Sequence, residues 1–250
     1  MMISMETVTP NVDTFKTWCS KRQQTCEIIP GRRISSLLEA KPWLTSYGYY
    51  IMNNWRESSC HFDSTGPVGC FLAHRDAWAT CVSRNEHVWI FEEGVYGYDT
   101  TMFDQLDQKH PETDLIMGHT IMLPRMWRQR SVDKHDIDDL LTSIDKIYFG
   151  TKCYRLSPTL AARLLQNSMT FDTHVDTFIC TEAILYADEF TACRTYKNIV
   201  FAASGGTINH SVDHSLLILL SMLVGILLGS VSMLYLLRLY RRCRSRCPAP

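Results

Sequence analysis

A layered α/β domain followed by one membrane-spanning segment is the fold class this sequence predicts, on three observations. From residue 66 onward, stretches with apolar residues every three or four positions alternate with short apolar runs, the pattern of helices laid on a sheet. The 250 residues are 46% hydrophobic, 11% aromatic and 20% charged, which excludes a disordered or collagen-like chain. That length holds one full domain and not two large ones. Finally, 22 residues at 216–237 carry no charge. As a helix they span about 33 Å, enough for a hydrocarbon core of about 30 Å.

Residues 1–40 are polar and weakly patterned, with Pro30-Gly31-Arg32-Arg33 toward their end, and no opening strand is evident before residue 60, so 1–60 read as a divergent N-terminal segment of the domain that follows. The folded domain is expected over 61–203. Its first clear helix covers 69–85, where Cys70, Ala73, Ala77, Trp78 and Cys81 fall on one stripe together with His74. A strand at 87–91 follows and ends abruptly in Glu92-Glu93-Gly94. Ligands of open α/β sheets bind beyond the carboxyl ends of strands, and two adjacent carboxylates there call for a cation or a donor. Residues 114–118 form another strand, opened by Asp114 and closed by a glycine.

Asp133, Asp136, Asp138 and Asp139 surround a predicted helix at 137–144 and read as a solvated acidic face. Residues 147–149 and 152–156 read as paired strands around Gly150-Thr151. Ser157-Pro158 gives an N-cap followed by proline in the first helical position, opening a helix with Leu160, Ala161, Leu164 and Leu165 on one side. Residues 171–179 read as extended, with Asp172, His174 and Asp176 alternating, and 199–203 as the closing strand. A linker at 204–215 leads to the membrane helix at 216–237 and a tail at 238–250.

Charge is unevenly placed. All 26 acids precede residue 215, and five of the 25 basic residues follow the apolar run. The body is therefore at −6 and the tail at +5. A net-negative body excludes a nucleic-acid binder, which needs a basic face to displace counterions. The arginine-rich tail favours a cytoplasmic C-terminus, whereas the first 16 residues contain no apolar stretch resembling a secretory signal. Sidedness stays open; a single-pass protein of an endoplasmic reticulum or Golgi type membrane is the expected setting.

Eight of ten cysteines lie in the body, a density compatible with some disulfides, and no CxxC pair there suggests a zinc ribbon. Asn209-His210-Ser211 is a glycosylation acceptor if lumenal, and Cys243 and Cys247 are placed for palmitoylation. Ser221, Gly225 and Gly229 make a small-xxx-small ridge; helix-mediated homodimerisation and ordinary glycine content are equal readings of it.

Taken in order, five motifs resemble glycosyltransferase family 25, the group of lipooligosaccharide and procollagen galactosyltransferases, in divergent form. They are Gly69-Cys70-Phe71-Leu72-Ala73-His74 with Trp78; Ile90-Phe91-Glu92-Glu93-Gly94; Asp114 to Gly118; Gly150-Thr151-Lys152-Cys153-Tyr154; and the 157–165 helix with Val175-Asp176 after it. The resemblance implies a GT-A-like, Rossmann-like nucleotide-sugar-binding sandwich. It implies transfer of galactose or glucose from a UDP-sugar to a glycan, lipid or protein acceptor, with inversion. Growing charge on the leaving diphosphate suits a divalent cation, Mn²⁺ or Mg²⁺, held by hard oxygens. A carboxylate takes the acceptor proton.

By resemblance Glu92 and Glu93 belong to the metal and nucleotide site, and Asp176 and Glu93 are the catalytic candidates. His74, Glu92 and Asp114 are the substrate-binding candidates, with His74 read as a core histidine supporting the fold beside the donor in preference to a catalytic one. The family's Glu-Asp-Asp reads Glu-Glu-Gly here. Either Glu93 with Asp99 holds the metal, or metal affinity is lost. In the second case the chain is a catalytically inactive member of the fold that serves as an interaction protein on a membrane.

Overall fold

A computed structural model describes residues 1–54, 64–121 and 136–202. The chain divides into one compact unit at Met1–Ala203 and a second at Ser204–Pro250. The predicted linker, the membrane helix at 216–237 and the basic tail all fall in the second unit, outside the described residues. Among the described residues no helix is long and apolar enough to cross a membrane.

The N-terminal segment corrects the first expectation. Strand β1 (Met2–Ser4) leads through helix α1 (Pro10–Lys21) to strand β2 (Ile28–Pro30), and the two strands pair in parallel. Local chemistry accounts for α1. Thr9 accepts from the Val12 amide, Pro10 opens the first turn, and Val12, Phe15, Trp18 and Cys19 are buried on one stripe. Three-residue strands are too short for alternation to register in a sequence, which is why the opening was not legible.

After β2 come helix α2 (Leu37–Ala40), a 3₁₀ turn at Lys41–Trp43 and helix α3 (Ser46–Asn54). Helix α4 (Gly66–Arg84) runs 19 residues and stops at Asn85, which adopts the left-handed conformation at φ 53° that ends helices. Strand β3 (Val88–Glu92) turns at residues 93–94 into β4 (Val95–Tyr98), and helix α5 (Thr100–Lys109) precedes β5 (Leu115–Met117). Then follow β6 (Leu141–Ser143), β7 (Cys153–Leu156), α6 (Pro158–Asn167), α7 (Val175–Leu185), β8 (Ala192–Thr195) and β9 (Val200–Ala202).

Seven strands form a mixed sheet in the order β2-β1-β3-β7-β5-β8-β6, with β7 antiparallel to both neighbours. Side chains alternate between its faces. Val88 and Ile90 of β3, Leu115 and Met117 of β5, and Tyr154 and Leu156 of β7 enter one core with α4, α6 and α7. Trp89, Phe91, Ile116 and Cys153 enter the other, with α1 and α5. A sheet covered by helices on both faces is the three-layered α/β architecture that the pattern predicts, and it agrees with a GT-A-like fold. In the first core Phe71 and Phe171 stack with ring centroids 3.8 Å apart.

Four further expectations need correction. Residues 137–144 hold β6 and no helix, because Asp138 Oδ1 accepts from the amides of Leu140 and Leu141 and turns the chain into a strand. Residues 147–149 do not pair with β7; Phe149 bridges Ile121, while β7 lies between β3 and β5. The stretch read as extended at 171–179 enters α7 at Val175, with Asp176 in the first turn where a carboxylate complements the helix dipole. The closing strand forms as read, as β9, and pairs with β4 in a separate two-stranded ribbon. Seven of the cysteines, at 19, 26, 70, 81, 153, 180 and 193, are free thiols, so none of these joins a disulfide.

Candidate functional site

Strands β1, β2 and β3 are parallel neighbours, and the chain leaves all three at the same edge. A cavity of about 360 Å³ opens there. Its walls are the residues at and just past the strand ends: Ser4 and Met5 at the end of β1, Gly31 to Ile34 after β2, and Glu92 to Gly94 at the end of β3. Lys152, immediately before β7, and the first turns of α4 complete it. A crevice beyond the carboxyl ends of parallel strands is where such sheets take ligands.

Two glycines let this edge close up. A Cβ at Gly69 would lie 2.1 Å from the Arg32 carbonyl oxygen, so the 31–34 segment reaches α4 only because residue 69 has no side chain. A Cβ at Gly31 would meet Met5 Sδ at 2.4 Å.

Glu92 continues the β3 alternation and points toward α4. Thr151 Oγ1 donates to its Oε1 at 2.5 Å and Lys152 Nζ to its Oε2 at 2.8 Å. His74 Nε2 stands 3.5 Å from Oε1. Burial raises the Glu92 carboxyl, but His74 and Lys152 outweigh it and hold the group well below the ordinary glutamate range. Burial likewise works to lower the Lys152 ammonium, and the adjacent carboxylate overcomes it and raises the group. The pair is ionised on both sides at neutral pH.

Below Glu92 lies a fully buried hydrogen-bonded chain. Trp78 Nε1 can only donate, and it donates to Tyr154 Oη at 2.9 Å; Tyr154 Oη and His74 Nδ1 are 2.8 Å apart. With its oxygen taking the indole proton, Tyr154 can pass its own proton to Nδ1, which turns Nε2 toward Glu92, 3.5 Å from Oε1. His74 is thus a buried support for Glu92 and does not line the cavity.

Glu93 does line it. Its Oε2 accepts from Ser4 Oγ at 2.7 Å and the Met5 amide at 3.2 Å, which ties the ends of β3 and β1 together. Its Oε1 has no hydrogen-bond partner among the described residues.

The remaining sequence candidates lie elsewhere. Asp176 is 8% exposed, with Oδ2 on the Gly150 amide at 3.1 Å and Oδ1 on the Thr177 amide at 2.8 Å. Burial raises its carboxyl, and the amides offset that in part. It is near enough to Glu92 to feel its charge, yet it does not line the cavity. Asp99 caps α5 through the Met102 amide at 3.1 Å and does not line the cavity either.

Asp114 sits at the opposite end of the sheet. It accepts from Ser157 Oγ at 2.7 Å and the Thr191 amide at 3.0 Å. Glu92 is level with Lys152 and Asp114 with Ser157, so five residues of strand, about 16 Å, separate them. Asp114 anchors a turn and is not part of this site.

Three cationic residues that the sequence did not single out belong here: Lys152, Arg32 and Arg33. Arg32 is held by Asp76 in a bidentate pair at 2.6 and 2.8 Å. Arg33 is exposed and makes no ion pair among the described residues. His119, buried just after β5, does not line the cavity; burial and then the Lys152 charge lower its imidazole. The dipeptide Arg32-Arg33 after a proline and a glycine was a visible signal. Lys152 was not, since it fills an unspecified position of its motif.

The donor set suits a hard divalent ion poorly. Both oxygens of Glu92 are engaged, one oxygen of Glu93 is engaged, and position 94 supplies no side chain. A Cβ built on Gly94 would lie 3.0 Å from Lys152 Nζ, so an ammonium stands where the family's last acid would be. Among the described residues, donor atoms of Cys70, His74 and Glu92 also approach within 4.8 Å of one another. There the Cys70 thiol is pushed up by burial and by the charges of Glu92 and Asp176, and it stays protonated.

A protein-family model described as "Glycosyltransferase family 25 (LPS biosynthesis protein)" matches residues 39–179, more than half of the chain. No curated protein matches it.

Proposed function

The chain belongs to glycosyltransferase family 25, and from that premise we propose that it moves a hexose from a UDP-sugar to a hydroxyl of a glycan, lipid or protein acceptor, inverting the anomeric carbon. Galactose and glucose are the donors expected. The observation that carries this reading is the coincidence of the family's acidic motif, Glu92-Glu93-Gly94, with the only edge where three parallel described strands end on a cavity. The sugar nucleotide would lie across the ends of β1 and β2, its diphosphate toward Arg33 and Lys152.

Inversion proceeds by one in-line displacement. The acceptor oxygen bonds to the anomeric carbon as the bond from that carbon to the phosphate oxygen breaks, and UDP departs. We assign the proton of the acceptor hydroxyl to Glu93, whose Oε1 is free among the described residues at the cavity wall. Asp176, the other sequence candidate, is enclosed and has both oxygens on backbone amides. Anchorage by 216–237 in an endomembrane remains part of the proposal.

Full-length protein incubated with UDP-galactose or UDP-glucose and an acceptor panel tests it. Transfer should occur, and Glu93→Ala should lower turnover by about 100-fold or more. Glu86→Ala, at an exposed side chain pairing with Arg84, should leave turnover unchanged. Neither transfer nor donor hydrolysis by the unaltered chain would favour the non-catalytic interaction module, the reading supported by the engagement of Glu92 with Lys152.

A further inference from the structure

We infer that this site holds its nucleoside diphosphate with fixed cationic side chains, Lys152 first among them, in place of a divalent metal ion. The inference rests on the donor-binding reading above and deepens it.

The argument begins with geometry. Lys152 Nζ is fixed by Glu92 at 2.8 Å and is about one-fifth exposed, at the cavity wall. An ammonium has three donor hydrogens and Glu92 takes one, so two remain for phosphate oxygens. The ammonium also fills the space a side chain at 94 would enter, the position from which the family's last acid would reach a metal. A divalent ion there would be repelled by a charge held only a few ångströms away.

Two more features supply positive potential on the same wall. Arg33 lines the cavity, exposed and without an ion pair among the described residues. Gly66 opens α4, which no side chain of Thr65 caps, and it lines the cavity with Gly69, so the positive end of a 19-residue helix lies on the same wall. The helix end alone would indicate nothing. Together with a half-buried, oriented ammonium and a cavity floored by two carboxylates, it makes a cradle for one diphosphate. Glu92 then acts as a positioning residue: it takes no metal and holds Lys152 in place, itself held through His74, Tyr154 and Trp78.

Calorimetric titration of the full chain with UDP, in EDTA and in Mn²⁺, tests the inference. UDP affinity should be the same within about twofold in both. Arg33→Ala, at an exposed position that leaves folding intact, should weaken UDP in EDTA about tenfold. Glu92→Gln/Lys152→Met, which removes both buried charges together, should weaken it further, and Lys152→Arg should recover most of the loss. Gly94→Asp would set a carboxylate against Lys152 and should weaken UDP in either buffer. UDP binding that appears only with Mn²⁺, or that Gly94→Asp strengthens with Mn²⁺, overturns the inference and leaves the donor reading standing. No UDP binding in either buffer overturns the donor reading, and the inference with it.

Discussion

Replacing Lys152 by Met tests the electrostatics of the site without reference to any substrate. The pair it breaks is 2.8 Å long, with side chains 22% and 19% exposed. At an effective dielectric constant near 20, Coulomb attraction at that distance is ~6 kcal/mol, an upper bound from which the desolvation of two charges must be taken. Breaking such a pair leaves Glu92 partly buried and uncompensated, and partial exposure puts the expected loss at the low end for buried pairs, about 3 kcal/mol. The loss must also depend on pH. Glu92 is held below its ordinary value of 4.5 in the folded state, so its pairing stabilises fully above that value. The contribution declines as pH falls toward the folded-state pKa. Urea unfolding of the full chain should therefore show the largest gap between native and variant near pH 7, narrowing below about pH 4.5. A gap under about 0.5 kcal/mol at pH 7, or one that does not change between pH 7 and pH 3, would refute the reasoning.

Other predictions concern the scaffold. Tyr154→Phe leaves Trp78 Nε1 and His74 Nδ1 buried without a partner, and should cost about 2–4 kcal/mol by urea unfolding. Ser157→Ala removes both the α6 cap to the Leu160 amide and the bond to Asp114, for a loss of about 1–2 kcal/mol in the same assay. Gly69→Ala forces a Cβ against the Arg32 carbonyl; trypsin should then cut after Arg32 or Arg33 faster than in the unaltered chain, and stability should fall by about 1–3 kcal/mol. Burial pushes the thiols of Cys81, Cys180 and Cys193 up to about 12, so peptide mapping after iodoacetamide at pH 8 should find them unmodified until guanidinium is added.

How much of this could be read from the sequence depended on element length. Helix α4 runs 19 residues and β3 five, long enough for a period to declare itself, and both were legible with their order. Strands β1 and β2 have three residues each, and only pairing with one another and with β3 makes them strands. That gap mattered, because the β1-α1-β2 unit precedes the matched span 39–179 yet forms half of the cavity wall. For α7, a D-H-D alternation suggested an extended chain, but the first of those residues holds Thr45 and the last lies inside a helical turn.

The site divides along the same line. Glu92 and Glu93 were legible because two acids closing an apolar strand are costly without a partner, and the structure supplies partners for both. What the sequence could not give was which partners. Lys152 is 60 residues away and meets Glu92 only because β7 inserts antiparallel beside β3. Asp114 and Asp99 share the chemistry of Glu93 but are used to close a turn and cap a helix. A carboxylate's type is visible in a sequence; whether a backbone amide has already claimed it is not.

The claim on which the account depends is that the cavity beyond β1, β2 and β3 is where a nucleotide sugar sits. Irradiating the full chain with a photoreactive azido-uridine analogue of UDP-glucose, then mapping the labelled peptides, tests it directly. The label should fall within 3–5, 31–34, 66–73 or 92–94 and be displaced by excess UDP. Displaceable label concentrated instead around 114, 157 and 191, at the far edge of the sheet, would contradict the account.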